Sequence, residues 1–215
     1  MKKRVFCLLL SLALMVCFTA QADGIGSFYR HMQYGTLTPY ENFVYHYALK
    51  VFSRFEMLSD DYLELLMQHI DETRDEDSEE TYDIRIWLSQ DGRYQFDVQV
   101  KQPTYATFAE EIEKAPQYLE LTRDNYAEDS NVRMLHEGIL RSTPAGDMLE
   151  TAIAYEETDE YGRASTVVFL YYDIYQDGVE YCFSMYAYDG DYSSAQAMLN
   201  EICQTVQLYP VSIQA

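Results

Sequence analysis

Between residues 166 and 208 the spacing of apolar positions changes from that of a strand to that of a helix. The segment TVVFLYYDIY, from Thr166 to Tyr175, is β-branched or aromatic almost throughout, the residue types that fit a pleated surface. Both alternating sets are apolar. Val167, Phe169 and Tyr171 fall on one side, and Val168, Leu170, Tyr172 and Ile174 on the other. A strand apolar on both faces is central and covered on both. Gln176-Asp177-Gly178 then provides a glycine for a tight hairpin turn, residues 179–188 return as the partner strand, and Asp189-Gly190-Asp191 turns the chain again. Beyond it Ala195, Leu199, Ile202 and Val206 form one helical stripe, with Met198 and Cys203 beside it. Ser193 and Gln196 have the spacing of a capping box that places Ser193 at the N-cap, and Pro210 ends the pattern. The expected unit is a two-strand ladder with a helix lying across it.

Upstream, Ser59 caps a helix expected over residues 60–70, with Leu63, Leu66, Met67 and Ile70 as its stripe. A hairpin is expected over residues 82–88 and 94–101, turned at Asp91-Gly92. Tyr82, Ile84, Ile86 and Leu88 alternate along its first strand. Tyr94, Phe96, Val98 and Val100 alternate with Gln95, Asp97, Gln99 and Lys101 along its second. That pattern predicts one dry face and one wet face, towards an open part of the sheet. Thr107 and Glu110 open a short helix to Ala115, a second helical piece follows Pro116 to about Tyr126, and residues 131–141 and 147–157 form a third hairpin around Pro144-Ala145-Gly146. Residues 40–55 (YENFVYHYALKVFSRF) fit a strand through Phe43, Tyr45 and Tyr47, or a helix through Val44, Tyr47, Val51 and Phe55. The later part is expected to be helical.

The C-terminal unit carries a recognisable combination: a long two-sided hairpin, the strand Tyr181-Cys182-Phe183-Ser184-Met185-Tyr186-Ala187, an acidic glycine turn, and a helix ending in Ile202-Cys203-Gln204-Thr205-Val206-Gln207-Leu208. It resembles the C-terminus of the PsbP-like superfamily. That group includes the extrinsic oxygen-evolving protein of photosystems, a Ran-binding nuclear import factor and many secreted bacterial proteins. The resemblance implies an α+β domain, with an antiparallel β-sheet of about six to seven strands and helices packed on both faces. For most members it implies no known catalysis.

The beginning of the chain changes the picture from fold to destination. Lys2-Lys3-Arg4, the apolar run from Val5 to Phe18 and Ala20-Gln21-Ala22 have the three-part form of a secretory signal peptide cleaved after Ala22. Residues 1–22 are therefore expected to be a leader, and residues 23–215 a single exported domain. The whole chain is 48% hydrophobic and 15% aromatic, enough to bury a sizeable core. The leader holds three of the 15 Lys and Arg and none of the 36 Asp and Glu, so the mature chain carries a formal charge of −24. Such a charge argues against nucleic acid and anionic lipid as partners and permits a cationic one. No stable membrane insertion is expected once the leader is gone. Cys7 and Cys17 leave with the leader. Cys182 and Cys203 remain as a candidate disulfide, worth roughly 3 kcal/mol of chain entropy, if the closing helix covers the face that carries Cys182. The sequence leaves that face open.

Candidate chemistry is sparse. GxSxG, HExxH, P-loop, GxGxxG and CxxC patterns are all absent. His31, His46, His69 and His136 lack the spacing of metal ligands on one helix. Residues 71–83 (DETRDEDSEETYD) read as a solvated acidic loop, because they lack the glycine and spaced Glu of a calcium-binding EF-hand. The tyrosines, 21 in all, read chiefly as sheet packing at Tyr171, Tyr172, Tyr181, Tyr186 and Tyr188, with a recognition surface as the alternative. No catalytic residue, cofactor or metal ligand emerges from the sequence. The reading is an acidic, exported, non-enzymatic binding or accessory protein, whose partner is an unidentified protein or small ligand. The rivals are an extracellular hydrolase with paired carboxylates, which requires two acidic side chains converging in a cleft, and a binder dependent on divalent cations.

Overall fold

A computed structural model describes residues 26–73, 79–115, 132–158 and 164–210. The expected leader, the helical piece after Pro116, the turn at Tyr161-Gly162-Arg163 and the middle of the acidic run lie outside them. In chain order the elements are α1 (26–34), β1 (Leu37–Asn42), β2 (Tyr47–Phe52), β3 (Phe55–Met57), α2 (Asp60–Thr73), β4 (Thr81–Ser89), β5 (Tyr94–Lys101), α3 (108–115), β6 (Val132–Thr143), β7 (Gly146–Thr158), β8 (Ala164–Gln176), β9 (Val179–Ala187), α4 (Tyr192–Cys203) and β10 (Gln207–Leu208).

Seven strands form one sheet in the order β3-β4-β5-β9-β8-β7-β6, and every neighbouring pair is antiparallel. The β8–β9 hairpin turns at Asp177 and Gly178, both with positive φ (53° and 76°). This is the backbone that matches the right-handed twist of the flanking strands. Val98, Phe183 and Tyr172 form a rung across β5, β9 and β8. They belong to the main core, which α4 closes with Ala195, Met198, Leu199, Ile202 and Cys203. Each fully buried Leu, Ile or Met contributes about 1.5–3 kcal/mol, so this helix supplies much of the core, as the sequence indicates. Its N-cap, however, is Asp191 rather than Ser193. The Asp191 carboxylate accepts from the Ser194 amide at 3.0 Å, while the Gln196 side chain is drawn inward to Glu150.

Residues 40–55 contain strands and no helix. The Asn42 side chain accepts from the amides of Val44 and Tyr45, His46 takes a positive φ, and the chain doubles back into β2. There β2 pairs with both β1 and β10 to form a second, three-stranded sheet, and its Tyr47, Leu49, Val51 and Phe52 join the main core. Tertiary pairing settles a stretch whose local pattern fits either structure. On the opposite face of the large sheet, α2 packs Leu63, Leu66 and Met67 on Ile84, Ile86 and Leu88 of β4. Helices thus cover both faces.

The β4–β5 hairpin departs from expectation. Its register pairs Ile84 with Gln99, Ile86 with Asp97 and Leu88 with Gln95. Cross-strand partners share a face, so the apolar set of β4 lies beside the polar set of β5, and no face is uniformly dry. Nor is β5 at an open part of the sheet: β9 pairs along its whole length. Asp97, expected on a wet face, is 2% exposed.

Candidate functional site

The face of the sheet opposite α4 carries a cavity of about 370 Å³, lined by strands β5, β7, β8 and β9 and by α3. Its position follows from local sequence. Pro103 lies just past the end of β5, and Thr107 caps α3, its hydroxyl accepting from the Glu110 amide at 3.2 Å. Phe108 then packs on Tyr175 of β8, ring centroids 5.7 Å apart, and the Tyr105 amide donates to the Tyr175 hydroxyl at 3.2 Å. These contacts set Glu111, one turn into α3, over the strands.

Four charged side chains meet there. Lys101 closes β5, Asp173 interrupts the apolar run of β8, and Glu180 opens β9; Glu111 hangs from α3. Lys101 Nζ lies 2.9 Å from Glu180 Oε1. The other oxygen of Glu180 accepts from the Thr104 amide at 3.0 Å. Glu111, Asp173 and Glu180 each direct one carboxylate oxygen to a common point, all within 4.8 Å of one another. All three residues are buried, yet Asp173 Oδ1 and Glu111 Oε2 have no hydrogen-bond partner in the protein.

The electrostatics follow from that placement. Burial pushes the Asp173 carboxyl up to about 7; Lys101 opposes the rise and Glu180 adds to it. Burial, reinforced by Asp173 and Glu180, raises Glu111 to about 8. Lys101 is disfavoured as a cation by burial, but Cys182, Asp173 and Glu180 around it more than compensate and hold its pKa above the ordinary lysine value. Buried polar atoms without partners cost free energy, so these two oxygens contribute nothing to the stability of the fold and lower it unless a donor or cation reaches them. The same face carries two further orphans, Asp97 Oδ1 and Ser184 Oγ, on residues paired across β5 and β9.

The cavity wall is partly aromatic. Phe169, Tyr171 and Tyr105 line it, and Tyr186 stacks on Phe169 at 4.5 Å. The tyrosines read from the sequence as sheet packing therefore divide: Tyr172 and Tyr181 are core residues, whereas Tyr171 faces the cavity.

Cys182 also lines this cavity, while Cys203 lies in the core beneath α4. The sheet stands between them. Both thiols are free, and the candidate disulfide does not form, because α4 covers the face that Cys182 does not share. Of the histidines, His31 pairs with Glu201 and His46 sits at a turn. Asp189 is paired with Arg93, and Asp191 serves as a helix cap. Sequence reasoning singled out none of Glu111, Asp173 and Glu180. One signal was available: a lone acidic residue inside each of two otherwise apolar strands, Asp173 in TVVFLYYDIY and Glu180 in VEYCFSMYA.

No protein-family model matches this chain, and no curated protein does. Solved structures similar to it include a cyanobacterial PsbP from Synechocystis (9% identity, 81% of this chain and 93% of that one, TM-score 0.47). Others are the Ran-binding protein Mog1p of Saccharomyces cerevisiae (11%, 84% and 99%, 0.47) and LpqN of Mycobacterium tuberculosis, described as involved in cell envelope biogenesis (11%, 81% and 91%, 0.45). Each is a likeness of overall architecture and assigns no role to any residue here. Among the described residues no helix is long and apolar enough to cross a membrane.

Proposed function

We propose that this is an exported, non-enzymatic binding protein that holds a small positively charged ligand in the cavity beneath α3. One observation carries the reading: two nine-tenths-buried carboxylates, Glu111 and Asp173, each present a partnerless oxygen to the same cavity. A buried acceptor left open is costly, and a ligand bearing positive charge or hydrogen-bond donors removes that cost. The leader read from residues 1–22 and the acidity of the chain support an extracellular setting and a cationic partner. The aromatic wall of Tyr105, Phe169 and Tyr171 suits the face of an organic cation.

Converging carboxylates are also what the hydrolase reading requires. Glycoside cleavage places its two carboxyl groups on either side of the scissile bond, about 5–9 Å apart. Here three acidic oxygens crowd within 4.8 Å, and Glu180 is tied to Lys101. That arrangement chelates better than it flanks.

The test is a thermal-shift panel of small amines, guanidines and metal ions on the protein and on Asp173→Asn. A concentration-dependent rise in Tm for a cationic ligand, lost in the variant, is expected. Insensitivity to every cation, or turnover of a glycoside or ester abolished by Asp173→Asn, would replace the reading.

A further inference from the structure

We infer that Glu111, Asp173 and Glu180 form a binding site for one hard divalent cation of the Ca²⁺ or Mn²⁺ type. The inference deepens the binding reading above and rests on it.

Geometry comes first. Three carboxylate oxygens from three separate elements, α3, β8 and β9, lie within 4.8 Å of one another. An ion centred among them reaches all three at the 2.0–2.6 Å that oxygen ligands of Mg²⁺ and Ca²⁺ take, to within side-chain adjustment. The second observation is independent of acidity as such. Asp173 Oδ1 and Glu111 Oε2 are unpartnered, on residues 4% and 9% exposed, and both residues face the cavity. Buried acceptors with no donor in reach are aimed at something outside the protein's own hydrogen-bond network.

The donor set narrows the ion. The three ligands are all carboxylates, and neither His nor Cys joins them. Oxygen-only donors select Ca²⁺, Mg²⁺ or Mn²⁺. The formal charge sets the number. Three carboxylates against one Lys101 leave two negative charges, enough for one divalent ion and too few for a pair. Lys101 on Glu180 Oε1 and the Thr104 amide on its Oε2 hold that carboxylate in place. Gln99 and Thr104 share the cavity, and its 370 Å³ leaves room for waters to complete a shell of six to eight.

The decisive experiment uses Tb³⁺, a hard cation whose emission is sensitised by nearby tyrosine, on the chelator-treated protein. Tyr105 and Tyr171 line the cavity. Saturable emission at one ion per chain, displaced by Ca²⁺ or Mn²⁺ and weakened at least tenfold by either Asp173→Asn or Glu111→Gln, is expected. Both replacements keep side-chain shape, and circular dichroism establishes that each variant is folded. Lys101→Gln, which removes the competing positive charge, is expected to tighten binding several-fold. Undiminished Tb³⁺ binding in both carboxylate variants would move the ion elsewhere and overturn the inference. If alkylamines raise the Tm of the wild-type protein while Ca²⁺, Mn²⁺ and Mg²⁺ do not, the cavity keeps its role and the ion is lost. If neither class acts, both readings fall.

Discussion

Two carboxylates are buried in the same sheet, on opposite faces, and they live in opposite conditions. Glu150 of β7, on the α4 side, is fully enclosed. It is paired with Arg141, accepts from the Gln196 side chain at 2.6 Å and from the Tyr192 hydroxyl at 3.2 Å, and lies 3.1 Å from the Tyr172 hydroxyl. Burial alone would raise its pKa, but Arg141, Gln196 and Tyr172 together bring it below the usual glutamate value. Asp173 of β8 is as deeply buried on the other side, has an oxygen with no partner, and is pushed upward. Burial is common to both; saturation of the lone pairs is what differs. A satisfied buried charge supports the fold, whereas an unsatisfied one costs it free energy.

The strongest way to break this contrast is to remove each carboxylate in turn. Glu150→Ala takes the carboxylate from Arg141 and the acceptor from the Gln196 amide, and should cost about 3–5 kcal/mol by urea denaturation. Asp173→Asn in metal-free buffer at pH 8 should instead leave stability unchanged or raise it by about 1–3 kcal/mol, since it removes a charge the fold disfavours. An Asp173→Asn variant as damaged as Glu150→Ala would erase the distinction between the two faces.

The pH dependence sharpens it. Glu150, with its lowered pKa, contributes stability above its ordinary value of 4.5 and loses it as the pH falls. Asp173 and Glu111, with raised values, act the other way. Their contribution is complete below about pH 4 and is lost as the pH rises through about 7 and 8. Metal-free melts between pH 5 and 9 should show Tm falling from the acid end and levelling off above about pH 8, and a flatter curve in the Asp173→Asn, Glu111→Gln double variant. An unchanged slope in that variant would remove the pair as its source.

Smaller effects separate structure from site in the same manner. Asp191→Ala removes the α4 cap and should cost about 1 kcal/mol, with no change in cation binding. Ser184→Ala deletes a buried hydroxyl without a partner and should stabilise by about 0.5–1 kcal/mol. A loss there would mean that the hydroxyl is bonded in solution.

The parts of this molecule legible from sequence are those whose determinants are local. The β8–β9 hairpin is written in its two-sided alternation and its Asp177-Gly178 turn, and α4 in the stripe from Ala195 to Val206. The expected sheet of about six to seven strands with helices on both faces comes instead from the resemblance of that unit to the PsbP-like superfamily, and the seven-stranded sheet agrees with it. Residues 40–55 resist such reading because strand and helix spacings coexist there, and the pairing of β2 with β1 and with β10, from the far end of the chain, decides between them. The site resists it more deeply. Lys101 meets Glu180 because β5 pairs with β9 across an order no hairpin announces, and Glu111 arrives from a helix docked through Phe108. Polar residues alternating along β5 look like a wet face until the strand is known to be central.

That alternation also guards the fold against misassembly. Sliding β5 by one position against β9 would turn Asp97 and Lys101 into the main core and push Phe96 and Val98 out among the acids. A single-residue slip inverts every side chain of a strand, and here the inversion sets two charges in hydrocarbon. Asp97, whose Oδ1 has no partner in the protein, therefore penalises the nearest wrong pairing while burdening the right one, and Asp97→Thr should fold more stably yet less uniquely.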